Sequence, residues 1–213
     1  HETRRRNLTV AAAHYLTPHM IRITLTGADL DGFDSPGADD HIKVILPSPD
    51  ADTPPQMRDY TPRSFDAARR ELVIDFAVHQ AGPATAWALA AKPGDSIQIG
   101  GPRGSQIISG EVPHWLLIGD ETALPAIGRR IEEAGAGSKI TLLAAVPGPA
   151  DEQVFAGRAA LETHWIHRPL SAAADPAPLL DALWALTLPP DTFVWIAAEA
   201  QVARALRAHL LED

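Results

Sequence analysis

Two patterns of hydrophobic and polar residues divide this chain. Up to about residue 112, apolar residues recur at every second position within short stretches. In Ile21-Arg22-Ile23-Thr24-Leu25-Thr26 they fall at 21, 23 and 25, which turns one face of an extended strand inward. The segments Leu8–Tyr15, Met20–Thr26, His41–Leu46, Arg58–Arg63, Glu71–His79 and Ser96–Gly100 share this β character. Proline and glycine clusters break them apart, among them Ser35-Pro36-Gly37, Pro47-Ser48-Pro49 and Lys92-Pro93-Gly94-Asp95. Six short strands of this kind predict a small closed antiparallel β-barrel. One helix interrupts them, from Pro83 to Ala91, opening on a proline as a first helical turn permits.

After Val112-Pro113 strands and helices alternate. The apolar runs predict strands at His114–Gly119, Lys139–Val146, Thr163–His167 and Thr192–Ala198. Helices are predicted over Thr122–Ala134, Ala177–Leu186 and Glu199–Leu211, with a short one at Asp151–Gly157. Such alternation predicts a parallel sheet with helices on both faces. The fold class is therefore β followed by α/β, with domains at 1–112 and 113–213, and Pro169 to Pro178 forms a surface connection.

Composition narrows the chemistry. In 213 residues with 46% hydrophobic content there is material for packed cores, and there is no cysteine. That excludes disulfides, thiolate catalysis and Cys-ligated metals, so redox chemistry would need a bound cofactor. A formal net charge of -9 argues against nucleic acid as a partner. The nine histidines show no metal-ligand spacing, and no metal site is expected. No apolar run reaches membrane-spanning length and no secretory pattern opens the chain, so a cytoplasmic monomer is expected.

In Arg58-Asp59-Tyr60-Thr61-Pro62-Arg63 two guanidiniums bracket an aromatic ring and a hydroxyl. The hexapeptide reads as a flavin clamp, because a planar fork suits pyrophosphate oxygens, or as an edge strand with exposed charges. Gly82-Pro83-Ala84-Thr85 places small residues where a helix start leaves N–H groups unpaired, a seat for phosphate. His79 is either a donor to the same phosphates or a half-buried histidine, and Trp87 reads as core. Asp120 and Thr122, at the start of the next predicted helix, either cap it or touch a cofactor.

Six blocks lie in register: Asp40-His41-Ile42-Lys43; Arg58 to Arg63; His79 with Gly82-Pro83-Ala84 and Trp87; Gly101-Pro102-Arg103-Gly104-Ser105; Gly119 to Ala126; and Trp195 before Ala198-Glu199. Their order resembles the siderophore-interacting protein family, FAD-dependent ferric-siderophore reductases of the ferredoxin-reductase type. The resemblance implies a six-stranded FAD-binding barrel followed by a Rossmann-like NAD(P)H-binding domain. It implies FAD contacts from Arg58, Tyr60, Thr61, Arg63, Phe76, His79, Gly82, Pro83, Ala84 and Thr85, and nucleotide contacts near Asp120, Thr122 and Ala123. Lys43 and Arg103 match basic positions lining the pocket for the ferric siderophore. Electrons would pass from NAD(P)H through FAD to Fe(III), with no catalytic acid or base. A reductase serving ferredoxin and a non-redox siderophore-binding protein are the alternatives.

Two departures stand out. Asp120 and Glu121 occupy the turn where glycines usually admit a dinucleotide phosphate, although the narrower family shares this acidic turn. The turn Val146 to Glu152 is also acidic, which favours NADH over NADPH. In addition, the family's usual Gly-Tyr-Trp segment after the last helix is not present before Asp213.

Overall fold

Contacts between Cα atoms separate two units, one ending at Ile108 and the other beginning at Ser109. The computed structural model describes residues 4–48, 52–79 and 82–212, so Pro49 of the predicted break lies outside them.

The first unit contains β1 (Arg5–Thr17), β2 (Met20–Thr26), β3 (Ile42–Ile45), β4 (Met57–Tyr60), β5 (Ser64–Asp66), β6 (Glu71–Ala77) and β7 (Ser96–Gly100), with α1 (Pro83–Ala90) between β6 and β7. They form one antiparallel sheet in the order β4-β3-β7-β1-β2-β6-β5. Seven strands stand where six were expected: the strand expected at Arg58–Arg63 ends at Tyr60, ahead of Pro62, and an additional one, β5, begins after it at Ser64. Proline has no N–H for a ladder, and Arg63 N–H instead donates to Val73 O at 2.8 Å, starting a new pairing on β6.

That division shapes the sheet. β4 and β5 stand at opposite ends of the strand order, yet only Thr61, Pro62 and Arg63 join them. Four peptide steps reach about 14 Å at most, so the sheet must curl until its two edges approach. The result is a half-barrel and not the closed barrel expected, since no ladder joins β4 to β5 across the seam among the described residues. Inward positions follow the period of two: Leu8 and Val10 on β1, Ile21, Ile23 and Leu25 on β2, Leu72, Ile74 and Phe76 on β6. Ala84 and Ala88 of α1 join this core, since small side chains let the helix lie close.

The second unit contains β8 (His114–Asp120), α2 (Leu124–Glu133), β9 (Lys139–Val146), β10 (Ala160–His167), α3 (Ala177–Trp184), β11 (Phe193–Ala197) and α4 (Ala200–Glu212). Its sheet is parallel, in the order β10-β9-β8-β11. Every residue of β8 is buried, as a central strand covered on both faces requires. Leu116, Ile118, Leu143 and Ala145 pack beneath Leu179 and Leu183 of α3 and Val202 and Leu206 of α4. On the α2 side, a Cβ at Gly119 would lie 2.7 Å from Ala123 Cβ and 2.9 Å from Ala197 O, so the close approach needs glycine.

Two predicted elements differ. α2 begins at Leu124 rather than Thr122, because Ala123 N–H bonds back to Asp120 O at 3.0 Å and closes a turn first. The helix expected at Asp151–Gly157 is only a 3-10 turn, Pro149–Asp151, followed by extended chain. Helix nucleation is costly, and Val154, fully exposed at 100%, offers no buried face to offset it.

Candidate functional site

Tyr60 ends β4, half-buried, with its ring against Phe76 at a centroid distance of 4.3 Å. Phe76 in turn meets Trp87 of α1 at 5.6 Å. This aromatic series joins the end of β4 to α1 through the barrel interior. Phe76 is 1% exposed, so it backs Tyr60 from within and has almost no surface of its own for a cofactor. Thr61 is half-buried beside Tyr60.

Burial pushes the Tyr60 phenol up to about 12, against a smaller lowering by the Arg58 guanidinium. A phenol that holds its proton more tightly folded than unfolded contributes in full below pH about 10, and that contribution is lost as pH rises towards about 12. In the flavin-free protein, phenolate absorbance is expected to show a component titrating near 12 that Tyr60→Phe removes. Persistence of that component in the variant would assign it elsewhere.

The two arginines of the hexapeptide occupy opposite settings. Arg58 is exposed, donating to Met57 O at 2.9 Å and Gln56 Oε1 at 3.2 Å, which lays its fork along the strand edge. Arg63 is buried at 7% exposure, with Nε 3.9 Å from Asp75 Oδ2. Asp75 also accepts from Arg22 Nε and Nη2 at 2.7 Å each. Thus the second guanidinium belongs to the barrel wall.

At the start of α1, Gly82 and Pro83 are exposed while Ala84 and Thr85 are buried. Among the described residues no side chain caps this end, and a Cβ on Gly82 would meet nothing within 4 Å. The N–H groups of Ala84 and Thr85 have no carbonyl of the helix to bond, and a helix start of this kind suits an anion such as the pyrophosphate of a dinucleotide. His79 is half-buried nearby in sequence; residues 80 and 81 lie outside the described set.

Lys43 and Arg103 differ in their partners. On the β3–β4 ladder Lys43 lies opposite Asp59, and its Nζ is 2.6 Å from Asp59 Oδ2. Both are exposed, and such a pair is worth about 0–1 kcal/mol, little enough to yield to a stronger anion. Arg103 is exposed, and its guanidinium has no partner among the described residues.

In the second unit the acidic turn is engaged internally. Asp120 Oδ1 accepts from Thr122 N at 2.9 Å and Thr122 Oγ1 at 2.6 Å, while Oδ2 accepts from Glu199 N at 3.0 Å. The carboxylate thereby ties the start of α2 to that of α4. Thr122 is exposed and Ala123 is 5% exposed. Glu121 Oε2 accepts from Arg168 Nη2 at 2.9 Å, with both side chains buried. This ion pair was not foreseen; its one signal in the sequence is a second carboxylate directly after an unbroken apolar strand.

Asp120, Arg168, Asp175 and Ala198 line a narrow crevice at the carboxyl ends of the strands. The strand order reverses beside β8 here, which is where open α/β sheets bind ligands. Among the described residues no group of three or more His, Asp or Glu could hold a metal ion, and no helix is long and apolar enough to cross a membrane.

Residues 112–213 match the siderophore-interacting protein family, and residues 9–56 and 49–106 match the siderophore-interacting FAD-binding domain. The chain is 33% identical over 225 residues to the NADPH-dependent ferric-chelate reductase of Escherichia coli K12, covering 96% of this chain and 86% of that protein. A siderophore utilization protein from T. fusca superposes with a TM-score of 0.93 at 36% identity, over 100% of this chain and 88% of the other. Ferredoxin-NADP+ reductase from Plasmodium falciparum, 11% identical, shares the fold with a TM-score of 0.77 over 98% of this chain and 91% of that one.

Proposed function

The chain belongs to the siderophore-interacting protein family, and from that premise we propose that it is a FAD-dependent reductase passing electrons from NAD(P)H to Fe(III) held in a siderophore. The observation that carries this reading is the open first turn of α1, joined through Trp87, Phe76 and Tyr60 to the β4 edge that bears Arg58. One element offers unpaired N–H groups, the other an aromatic face and a guanidinium fork, and the aromatic series sets their spacing.

Bound FAD would supply two-electron acceptance and one-electron release, chemistry that no side chain of this cysteine-free protein performs. The α1 N–H groups and Arg58 would hold its pyrophosphate, and Tyr60 with Thr61 would orient its ring. Lys43 and Arg103 would draw an anionic ferric chelate to the same unit. Reduction to Fe(II) releases the metal, because hard oxygen ligands bind the less charged ion weakly. The acidic turn after β9, where Glu152 accepts from His167 at 2.8 Å, favours NADH over the 2′-phosphate-bearing nucleotide named for the E. coli relative. The protein would act as a cytoplasmic monomer.

Flavin titration tests the clamp. Arg58→Ala loses a charge-assisted contact worth about 1.5–3 kcal/mol, so FAD affinity is expected to fall about tenfold or more. Unchanged affinity would remove Arg58 from the site. Turnover that proceeds with ferredoxin and not with a ferric chelate would replace the siderophore reading with that of a protein-partner reductase.

A further inference from the structure

The Gly101–Ser105 loop follows β7 with no helix or strand of its own. Beside it lies a cavity of about 350 Å³, lined by Arg4, Arg6, Gly32, Pro36, Pro102 and Ser105 among others. Packing leaves one side of the loop unsupported, so its position must come from tethers. At its start, Arg6 Nη1 donates to Gly101 O at 2.9 Å, and Arg6 Nη2 reaches Gly32 O at 3.5 Å. At its end, Ser105 Oγ donates to Asp40 Oδ2 at 2.7 Å. The same oxygen accepts from Ser35 Oγ and Gly37 N, at 3.0 Å each.

Both tethering ions are costly to the fold. Arg6 is 6% exposed and Asp40 3%, and neither forms an ion pair among the described residues. Arg6 Nε and Asp40 Oδ1 are buried with no hydrogen-bond partner. A buried charge without a countercharge destabilises a fold, and apolar side chains would fill these positions at lower cost. Arg6 also lies over the Phe33 ring, 5.2 Å from its centroid, and between them the two charges secure both ends of the segment that carries Arg103.

Asp40 also lies three residues before Lys43, whose ladder partner on β7 is Gly100, the residue immediately before the loop. Gly101 has φ +101°, and a Cβ there would lie 3.3 Å from Arg103 N, so the backbone turns tightly against the entry to β3. Asp40 therefore stands on the approach to the Lys43 strand while its carboxylate holds the far end of the Arg103 loop.

We infer that Asp40, acting through Ser105, is a positioning residue that holds Arg103 at a set distance from Lys43 for recognition of an anionic ferric chelate. This rests on the reading of Arg103 as a substrate contact. Charge recognition falls steeply with distance and with solvent screening, so a loop released into the adjacent cavity would lose affinity for the anion while leaving the flavin untouched.

Steady-state kinetics on the FAD-loaded protein test this with two probes, the trianionic iron(III) complex of a hexadentate tris(catecholamide) and neutral iron(III) tris-maltolate. Ser105→Ala is expected to raise KM for the trianion about five-fold, with kcat and the KM for the neutral chelate unchanged, and Ser105→Thr to restore the original value. In an Arg103→Ala background, Ser105→Ala is expected to add nothing further. An equal rise for both chelates, or an effect that persists without Arg103, overturns the inference. If Arg103→Ala raises KM for the trianion but Ser105→Ala does not, only the positioning role falls. If Arg103→Ala itself leaves that KM unchanged, the substrate reading of Arg103 falls and the inference with it.

Discussion

Asp75→Ala is expected to destabilise the first unit by about 3–5 kcal/mol and to abolish tight FAD binding. Asp75 sits on β6 directly opposite Arg22 of β2, its side chain 1% exposed, and accepts two charge-assisted bonds of 2.7 Å from that arginine. Arg63 approaches the same carboxylate from the segment that carries the chain from β4 to β5. Truncation leaves the buried Arg63 guanidinium without this countercharge at the point where the sheet edges are drawn together. Tyr60 lies three residues upstream on that segment, and Phe76, which backs it, adjoins Asp75 in β6. Loosening here should therefore reach the flavin face. Urea denaturation and FAD titration of the variant measure the two effects. A loss below about 1 kcal/mol would show that Arg22 and Arg63 find other partners.

Arg168→Met is expected to cost the second unit about 3–5 kcal/mol by removing the buried cation that faces the Glu121 carboxylate. The double variant Glu121→Leu with Arg168→Met should recover most of that loss, because apolar packing of similar volume replaces an ion pair at little net cost. Four of the five tryptophans, Trp115, Trp165, Trp184 and Trp195, lie after Ser109, so intrinsic fluorescence follows this unit's unfolding. A double variant as unstable as the single one would show that neighbouring polar groups, not the pair alone, depend on these charges. Arg168 already leaves Nη1 buried without a hydrogen-bond partner and faces the crevice at the sheet's carboxyl end.

The local pattern was enough for most elements, because periodicity reports which face of a segment is covered. Alternation in Ile21 to Thr26 and the unbroken apolar run in β8 indicated a half-exposed antiparallel strand and a central parallel one, and the structure has both. Where a residue's setting depends on its immediate neighbours, as for the uncapped start of α1, the reading from sequence and the structure agree. The segment at Asp151–Gly157 failed for a related reason: its composition allowed a helix, but burial of one face was required and not available.

Sequence alone determined that a β-rich half precedes an α/β half, that no thiol chemistry is possible, and that a guanidinium–aromatic–hydroxyl segment lies within the β-rich half. Tertiary structure alone decided that Arg58 faces solvent while Arg63 is enclosed beside Asp75, and that Asp120 bonds to Glu199, Glu121 to Arg168 and Ser105 to Asp40. Those last three pairs lie 79, 47 and 65 residues apart. Such contacts are set by strand order and by how far the sheet curls, and both are properties of the packed chain as a whole. A period of two or of 3.6 shows which side of a segment is buried, but not which distant segment covers it.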